Sequence, residues 1–403
     1  MAISVLGRFR AYDLARELDR HGALETLITS QPAALVARCG LDPRRVVGLP
    51  RFEFARRLLA RAPGGQRQVP RLQRAYDNAA ARHLPADADL CVGWSGGCLQ
   101  TLQRARKRGA RTVVERGSTH IEAQSELLQE EYARFGLHAR LAERGTVERE
   151  LREYELADVI AVPSVFAAES FLERGFERSR LLINPAGTDL SRFSPGPRPA
   201  DGDTARPLRI LFVGRVGIRK GAHRLIEAFT ALERDDVELR LVGPIEPELL
   251  NVRSSLRDPR VVFEGPVPQA RLVEHFRAAD LFCLPSLEEG LAMVVFQAMA
   301  CGLPCLVTPN TGAAGLVREG VEGSLVSAGS TEALADALER LLADPLALAG
   351  RGRAARERVE TGFAWSDYGQ RSIEAYTALL EGRPLPPSPL EDFPAAAATR
   401  EAV

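Results

Sequence analysis

The chain has 403 residues, 45% of them apolar and 26% charged, which is enough for two or three domains and excludes a disordered, collagen-like or disulfide-scaffold protein. Its 53 basic and 53 acidic residues cancel, so no global charge points to nucleic acid as a partner. One count is skewed: only Lys107 and Lys220 are lysine, and every other basic residue is arginine.

In chain order, short apolar runs at 2–6, 24–29, 88–93, 111–115, 158–162 and 180–184 are predicted strands. Amphipathic stretches at 12–21, 96–108, 122–135, 139–156 and 164–175 are predicted helices between them. Residues 187–207, rich in Gly, Pro and Asp and without periodicity, read as a linker. The second half repeats the alternation. Its strands are predicted at 208–213, 237–242, 260–264, 280–284, 304–308 and 323–327, and its helices at 221–233, 269–278, 292–301, 331–343 and 346–361. Continuous Val/Ile/Leu runs suit parallel strands buried on both faces, and the alternation predicts two α/β domains. An echo between Ala157–Ser164 and Ala279–Ser286, each a buried run closed by Pro-Ser, suggests that the halves share a build. Ligands of such sheets bind beyond the carboxyl ends of the strands, so a cleft between the halves is the expected site.

The six cysteines have no metal-like spacing and are expected to be free thiols in a reducing cytosol. The N-terminus does not read as a signal peptide and no apolar run suits a membrane span, so the expected location is cytoplasmic.

Two segments carry the candidate chemistry. The first is Gly214-Arg215-Val216-Gly217-Ile218-Arg219-Lys220-Gly221, which follows a strand and opens a helix. Glycines allow close backbone approach, and a helix N-terminus with cations suits a phosphate. Neither a Walker loop nor G-x-G-x-x-G is present. A lysine in a half otherwise devoid of them suits a point contact with a phosphoryl oxygen. The second runs from Pro285 to Pro304 and holds Glu288, Glu289, Gly290, Leu291 and, eight residues after Glu289, Gln297. A carboxylate there can accept sugar hydroxyls and the amides of Gly290 and Leu291 can hold a phosphate, while Glu288 alone is equally well read as a helix cap.

These strings, GRVGIRKG and SLEEGLAMVVFQAMACGLP, with FAWSDYGQRSIEAY near the end, resemble the group 1 glycosyltransferases, glycosyltransferase family 4. The resemblance covers about 200–382 well and 1–190 more loosely, through ERGSTHI, ADVIAVPS and AGTDLSRFSP. It implies a GT-B fold, two Rossmann-like doubly wound domains facing across a cleft. The implied layout is an acceptor-side domain over 1–190, a linker over 191–207 and a sugar-nucleotide domain over 208–362. A helix over 363–382 crosses back to the first domain, while the Pro/Ala-rich composition after 382 predicts a disordered tail over 383–403. The implied activity is retaining, metal-independent sugar transfer, with a nucleotide-diphosphate sugar as donor, no further cofactor, and a glycan, lipid-linked or small-molecule acceptor. The alternative is a non-catalytic sugar-nucleotide-binding homologue.

By position, the resemblance gives Arg215 and Lys220 the donor diphosphate, Glu289 the transferred sugar, and His120 a contact to that sugar. Gly7, Gly214, Gly243, Pro266, Gly290 and Leu291 fall to donor binding. Gln297 stands where the family has a second Glu that binds the ribose, Ala292 replaces a glycine, and Gly7-Arg8-Phe9-Arg10 replaces a Gly-Gly pair. Losing the ionic acceptor at 297 is expected to weaken nucleotide binding by roughly 1–2 kcal/mol.

Residues 38–82 carry eleven Arg against three acids, with Phe52, Phe54, Leu58 and Leu59 interleaved. Such a stretch is expected to form a solvated face; contact with the inner face of an anionic membrane, which would suit a lipid-carried acceptor, is the alternative.

Overall fold

The computed structural model describes residues 1–138, 142–196, 206–249 and 258–391. Residues 139–141 of one predicted helix, 197–205 of the linker and 392–403 of the tail lie outside these.

The first domain is a seven-stranded sheet built from β1 (Ala2–Val5), β2 (Thr26–Thr29), β3 (Val46–Gly48), β4 (Leu90–Trp94), β5 (Arg111–Glu115), β6 (Val159–Val162) and β7 (Leu181–Ile183). Its strand order is β3-β2-β1-β4-β5-β6-β7 and every pairing is parallel. The helices are α1 (Ala11–Arg20), α2 (Ala33–Ala37), α3 (Pro50–Arg61), α4 (Val69–Arg82), α5 (Leu99–Lys107), α6 (Ile121–Arg134), α7 (Arg144–Leu156) and α8 (Val165–Leu172). The second sheet holds β8 (Leu208–Val213), β9 (Val237–Val242), β10 (Val261–Gly265), β11 (Leu281–Leu284), β12 (Cys305–Val307) and β13 (Gly323–Leu325), ordered β10-β9-β8-β11-β12-β13 and also parallel. With it go α9 (Ala222–Thr230), α10 (Leu272–Arg277), α11 (Met293–Ala300), α12 (Thr331–Leu342) and α13 (Pro345–Glu360). In both sheets the strand order reverses beside the first strand, between β1 and β4 and between β8 and β11. The loops beyond those strand ends open a crevice there.

All twelve predicted strands are present. The sequence reading missed β3, a three-residue edge strand too short to show a period, helix α2, five residues long, and helices α3 and α4, whose arginines hide the apolar stripe. That stripe is real: Phe52, Leu72 and Tyr76 pack beneath β2, and the Tyr76 hydroxyl donates to the carbonyls of Val5 (2.8 Å) and Ile28 (2.9 Å). The six cysteines are free, and all but Cys39 are buried.

The chain then returns. Helix α14 (Trp365–Leu380) packs on α1, with Tyr368, Ala375 and Tyr376 in the first domain's core. Gly369 lies against the Glu17 side chain, where a Cβ would collide, so the two helices cross in close contact. The Tyr368 hydroxyl reaches the buried Glu115 carboxylate (3.4 Å), which Arg10 approaches from the other side (3.4 Å). Where the chain crosses between domains, the outgoing and returning segments pair: Thr188 N donates to Phe363 O (2.9 Å), and Gly187 fits against Ala364 only without a Cβ. The expectation of a disordered tail from 383 is corrected by the structure. Leu385 packs on the first domain's core, Leu390 is buried in the second, and Glu391 pairs with Arg178.

Candidate active site

The carboxyl ends of β8, β9 and β11 converge on the first domain. Gly214 (φ +151°) and Gly243 (φ +144°) turn the chain away from the ends of β8 and β9. A Cβ on Gly243 would strike the Gly214 carbonyl, so the two loops cross in backbone contact. Gly221 (φ +68°) opens α9 in the left-handed region, pressed against the Pro285 carbonyl after β11. These fits bring the two candidate segments together. The Lys220 ammonium lies 2.6 Å from Glu289 Oε1, with both side chains mostly covered.

The amides of Glu289 and Ala292 are bonded to the carbonyls of Asn310 (2.9 Å) and Thr311 (3.0 Å). Those of Gly290 and Leu291, between them, find no acceptor among the described residues. Helix α11 starts only at Met293, so these two amides sit on the approach loop and not in its first turn. Gln297 is buried on α11, and its Oε1 has no hydrogen-bond partner among the described residues. A buried unpaired acceptor of this kind suits a hydroxyl donor from outside the chain.

Other predicted residues fall elsewhere. Arg215 is 72% exposed and paired with Glu246, apart from the Lys220–Glu289 pair. Pro266 is exposed after the edge strand β10. Gly7 (φ +106°) sits across the crevice after β1, its amide donating to Ser30 Oγ (3.0 Å), and is followed by the exposed Phe9 in a left-handed conformation (φ +40°).

His120 is a correction. It caps α6: its Nδ1 accepts from the Glu122 amide (3.3 Å), and its ring is buried against Tyr154, Phe171 and Phe176. Burial, then the Arg174 and Arg116 charges, hold its pKa down to about 3. It is a neutral cap in an aromatic cluster, not a cleft-facing group.

Glu288 is the second correction. The cap position of α11 is Ala292 and carries no side-chain bond, so Glu288 caps nothing. It is fully buried and reaches the first domain, where Ser118 Oγ (2.6 Å), Thr119 Oγ1 (2.8 Å) and Gln124 Nε2 (2.9 Å) donate to it. Arg219 closes its other side (2.9 Å). Burial pushes this carboxyl up, but Arg219 and the three polar side chains outweigh it, so its pKa lies below the usual carboxylate range. Sequence reasoning missed Arg219, Ser118, Thr119 and Gln124. The available signal was two adjacent acids, of which one cap position can use only one.

Beside this junction a crevice of about 440 Å³ opens between α6 and the loops after β8 and β9, lined by Gln124, Leu128, Tyr132, Arg219, Glu246 and Glu248 among others.

Two parallel doubly wound domains with a polar junction at their facing strand ends define the GT-B class. Solved structures agree in fold. A sucrose-phosphate synthase from Thermosynechococcus elongatus superposes with a TM-score of 0.69 at 21% identity, over 95% of this chain and 100% of that one. Anabaena HepE, solved with UDP and glucose, superposes with a TM-score of 0.66 at 17% identity, over 94% and 100%. Residues 207–344 match the model of the family described as glycosyl transferases group 1. The chain is 32% identical over 250 residues to a D-inositol 3-phosphate glycosyltransferase of Pseudarthrobacter chlorophenolicus, covering 58% of this chain and 59% of the relative. It is 31% identical over 245 residues to a GDP-mannose-dependent alpha-(1-6)-phosphatidylinositol monomannoside mannosyltransferase of Mycolicibacterium smegmatis, covering 56% and 64%. The chain thus spans less than two thirds of the length of these curated relatives.

Proposed function

We propose that this protein transfers a sugar, with retention and without a metal, from a nucleotide-diphosphate sugar to a hydroxyl of a polyol or glycan, free or lipid-linked. The observation that carries the reading is the Lys220–Glu289 pair at 2.6 Å, next to two amides without an acceptor among the described residues. Lys220 neutralises the diphosphate as the glycosidic bond breaks, with Arg215 joining once it exchanges Glu246 for phosphate. The Gly290 and Leu291 amides bind phosphate or sugar oxygens, Glu289 accepts sugar hydroxyls, and Gln297 Oε1 accepts from the ribose. A preorganised contact of this kind supplies ~2–4 kcal/mol of transition-state stabilisation. The names of the two relatives, one acting on an inositol phosphate and one on a phosphatidylinositol mannoside, support a polyol-bearing acceptor. The test is Lys220→Ala assayed with UDP-, GDP- and ADP-sugars. A large loss of transfer is expected, and activity within about threefold of wild type would reject the phosphate role. Slow donor hydrolysis by the wild type would set aside the non-catalytic alternative.

The acceptor side carries a second proposal, contact with anionic lipid. On α3, Phe54 and Leu58 are 71% and 60% exposed one turn apart, among Arg51, Arg57 and Arg61, while Phe52 and Leu59 pack inward. No helix among the described residues is long and apolar enough to cross a membrane. Flotation with anionic vesicles at moderate salt should carry the protein, and Phe54→Ser with Leu58→Ser should release it. No bound wild-type protein would remove the proposal.

A further inference from the structure

The Glu288 junction has no part in the chemistry above, yet it is a fully buried charge between the domains whose acceptor sites are filled from both sides. A carboxylate has about four acceptor sites. Here Oε1 takes Ser118 Oγ (2.6 Å) and Thr119 Oγ1 (2.8 Å), while Oε2 takes Gln124 Nε2 (2.9 Å) and Arg219 (2.9 Å). Three of these four donors come from the turn before α6 and from α6 itself, in the first domain, some 165 residues away in sequence (|i−j| 164 to 170). They are present only while the domains are together. The surrounding contacts follow the same helix: Glu131 accepts from His223 (3.0 Å) and Arg224 (3.0 Å), and the Tyr132 hydroxyl donates to Glu248 (2.9 Å). Beside the junction, Ser164 Oγ donates to Gly290 O (2.5 Å), and Gly290 faces Gly117 with no room for a Cβ.

The junction also touches the proposed donor site. Consecutive cations meet consecutive acids: Arg219 lies closest to Glu288 (2.9 Å) and farther from Glu289 (3.9 Å), and Lys220 takes Glu289 (2.6 Å). Arg219 is further held by the Glu288 carbonyl (3.1 Å) and by its own carbonyl's bond from the Leu287 amide (2.9 Å). When the domains part, Glu288 loses three donors and Arg219 is left as its one protein partner among these four.

We infer that Glu288 is a positioning residue that latches the two domains in the closed arrangement and, by holding Arg219 away from the donor, leaves that site to Lys220 and Arg215. This rests on the transferase reading for its kinetic consequence, but not for the latch itself. The experiment takes the full-length protein and the variants Glu288→Gln and Gln124→Ala, the latter a milder change at the partly buried edge of the junction. Solution scattering without donor reads closure, and steady-state kinetics with the preferred sugar nucleotide reads positioning. Both variants are expected to show an enlarged radius of gyration with an unchanged far-UV spectrum. Glu288→Gln is expected to lower kcat about tenfold with donor KM within about twofold, and Glu288→Asp to recover part of it. A wild-type radius in both variants overturns the latch, and an equal fall in kcat/KM through KM alone overturns the positioning role. Enlarged radii in a protein that transfers no sugar support the latch while rejecting the transferase reading, so the two fail separately.

Discussion

At the scale of single residues, the choice of lysine at 220 matters because arginine is used almost everywhere else. An ammonium 2.6 Å from Glu289 can turn its three donors between carboxylate and phosphate, whereas a planar guanidinium is larger and fixed in its fork. Lys220→Arg should therefore cut turnover about tenfold or more, while Lys107→Arg, at the exposed end of α5, should leave it unchanged; both are read by initial rates. Gln297→Glu should tighten nucleotide binding by roughly 1–2 kcal/mol, measurable by calorimetry with the free nucleoside diphosphate. His120 supplies a pH prediction. The unfolded chain takes up a proton near the ordinary value of about 6.5, but the folded imidazole stays neutral down to about 3. The unfolded state therefore binds more protons inside that window, so this residue's contribution erodes as pH falls through it. His120→Asn keeps a capping acceptor and loses the titration. Its stability should fall less steeply than wild type between those values in chemical denaturation, with sugar transfer at neutral pH nearly intact.

At the scale of elements, most of the fold was legible because parallel strands covered on both faces leave uninterrupted apolar runs. Strands such as Leu208–Val213 and Val237–Val242 could be placed to the residue. The stretch 38–82 was not legible, since arginine stems cover apolar surface while their heads mask the pattern, and β3 is too short to have one. The donor-side loops were legible through glycine spacing, but the junction was not. Nothing local ties Gln124 to Glu288. The loops also set the tolerance to mutation. Gly221 is left-handed and abuts Pro285, so Gly221→Ala adds backbone strain on the order of 1–3 kcal/mol and a steric clash. Thermal unfolding should show a clearly lowered midpoint for this variant, whereas Gly109→Ala, left-handed but in open space, should show the smaller shift.

At the scale of the whole molecule, the two domains are joined by a paired ribbon at 187–188 and 363–364, by the polar contacts of α6 and by the Ser164–Gly290 contact. The first domain is also not one continuous piece of chain. Its core needs Tyr368 and Tyr376, and the Glu115 carboxylate beneath its site loop is met by α14. A fragment ending at residue 190 should therefore expose the apolar face of α1 and aggregate, and a peptide spanning 363–391 added during refolding should raise its soluble yield. The same arrangement bears on how the protein is born. A ribosome adds roughly 5–20 residues per second, so the segment between β7 and α14 delays the final helix by on the order of ten seconds or more. During that interval the first domain to emerge waits with an uncovered face, while the strands and helices of the second domain from β8 to α13 are made. The half that is made first is thus covered only after almost all of the second has been made.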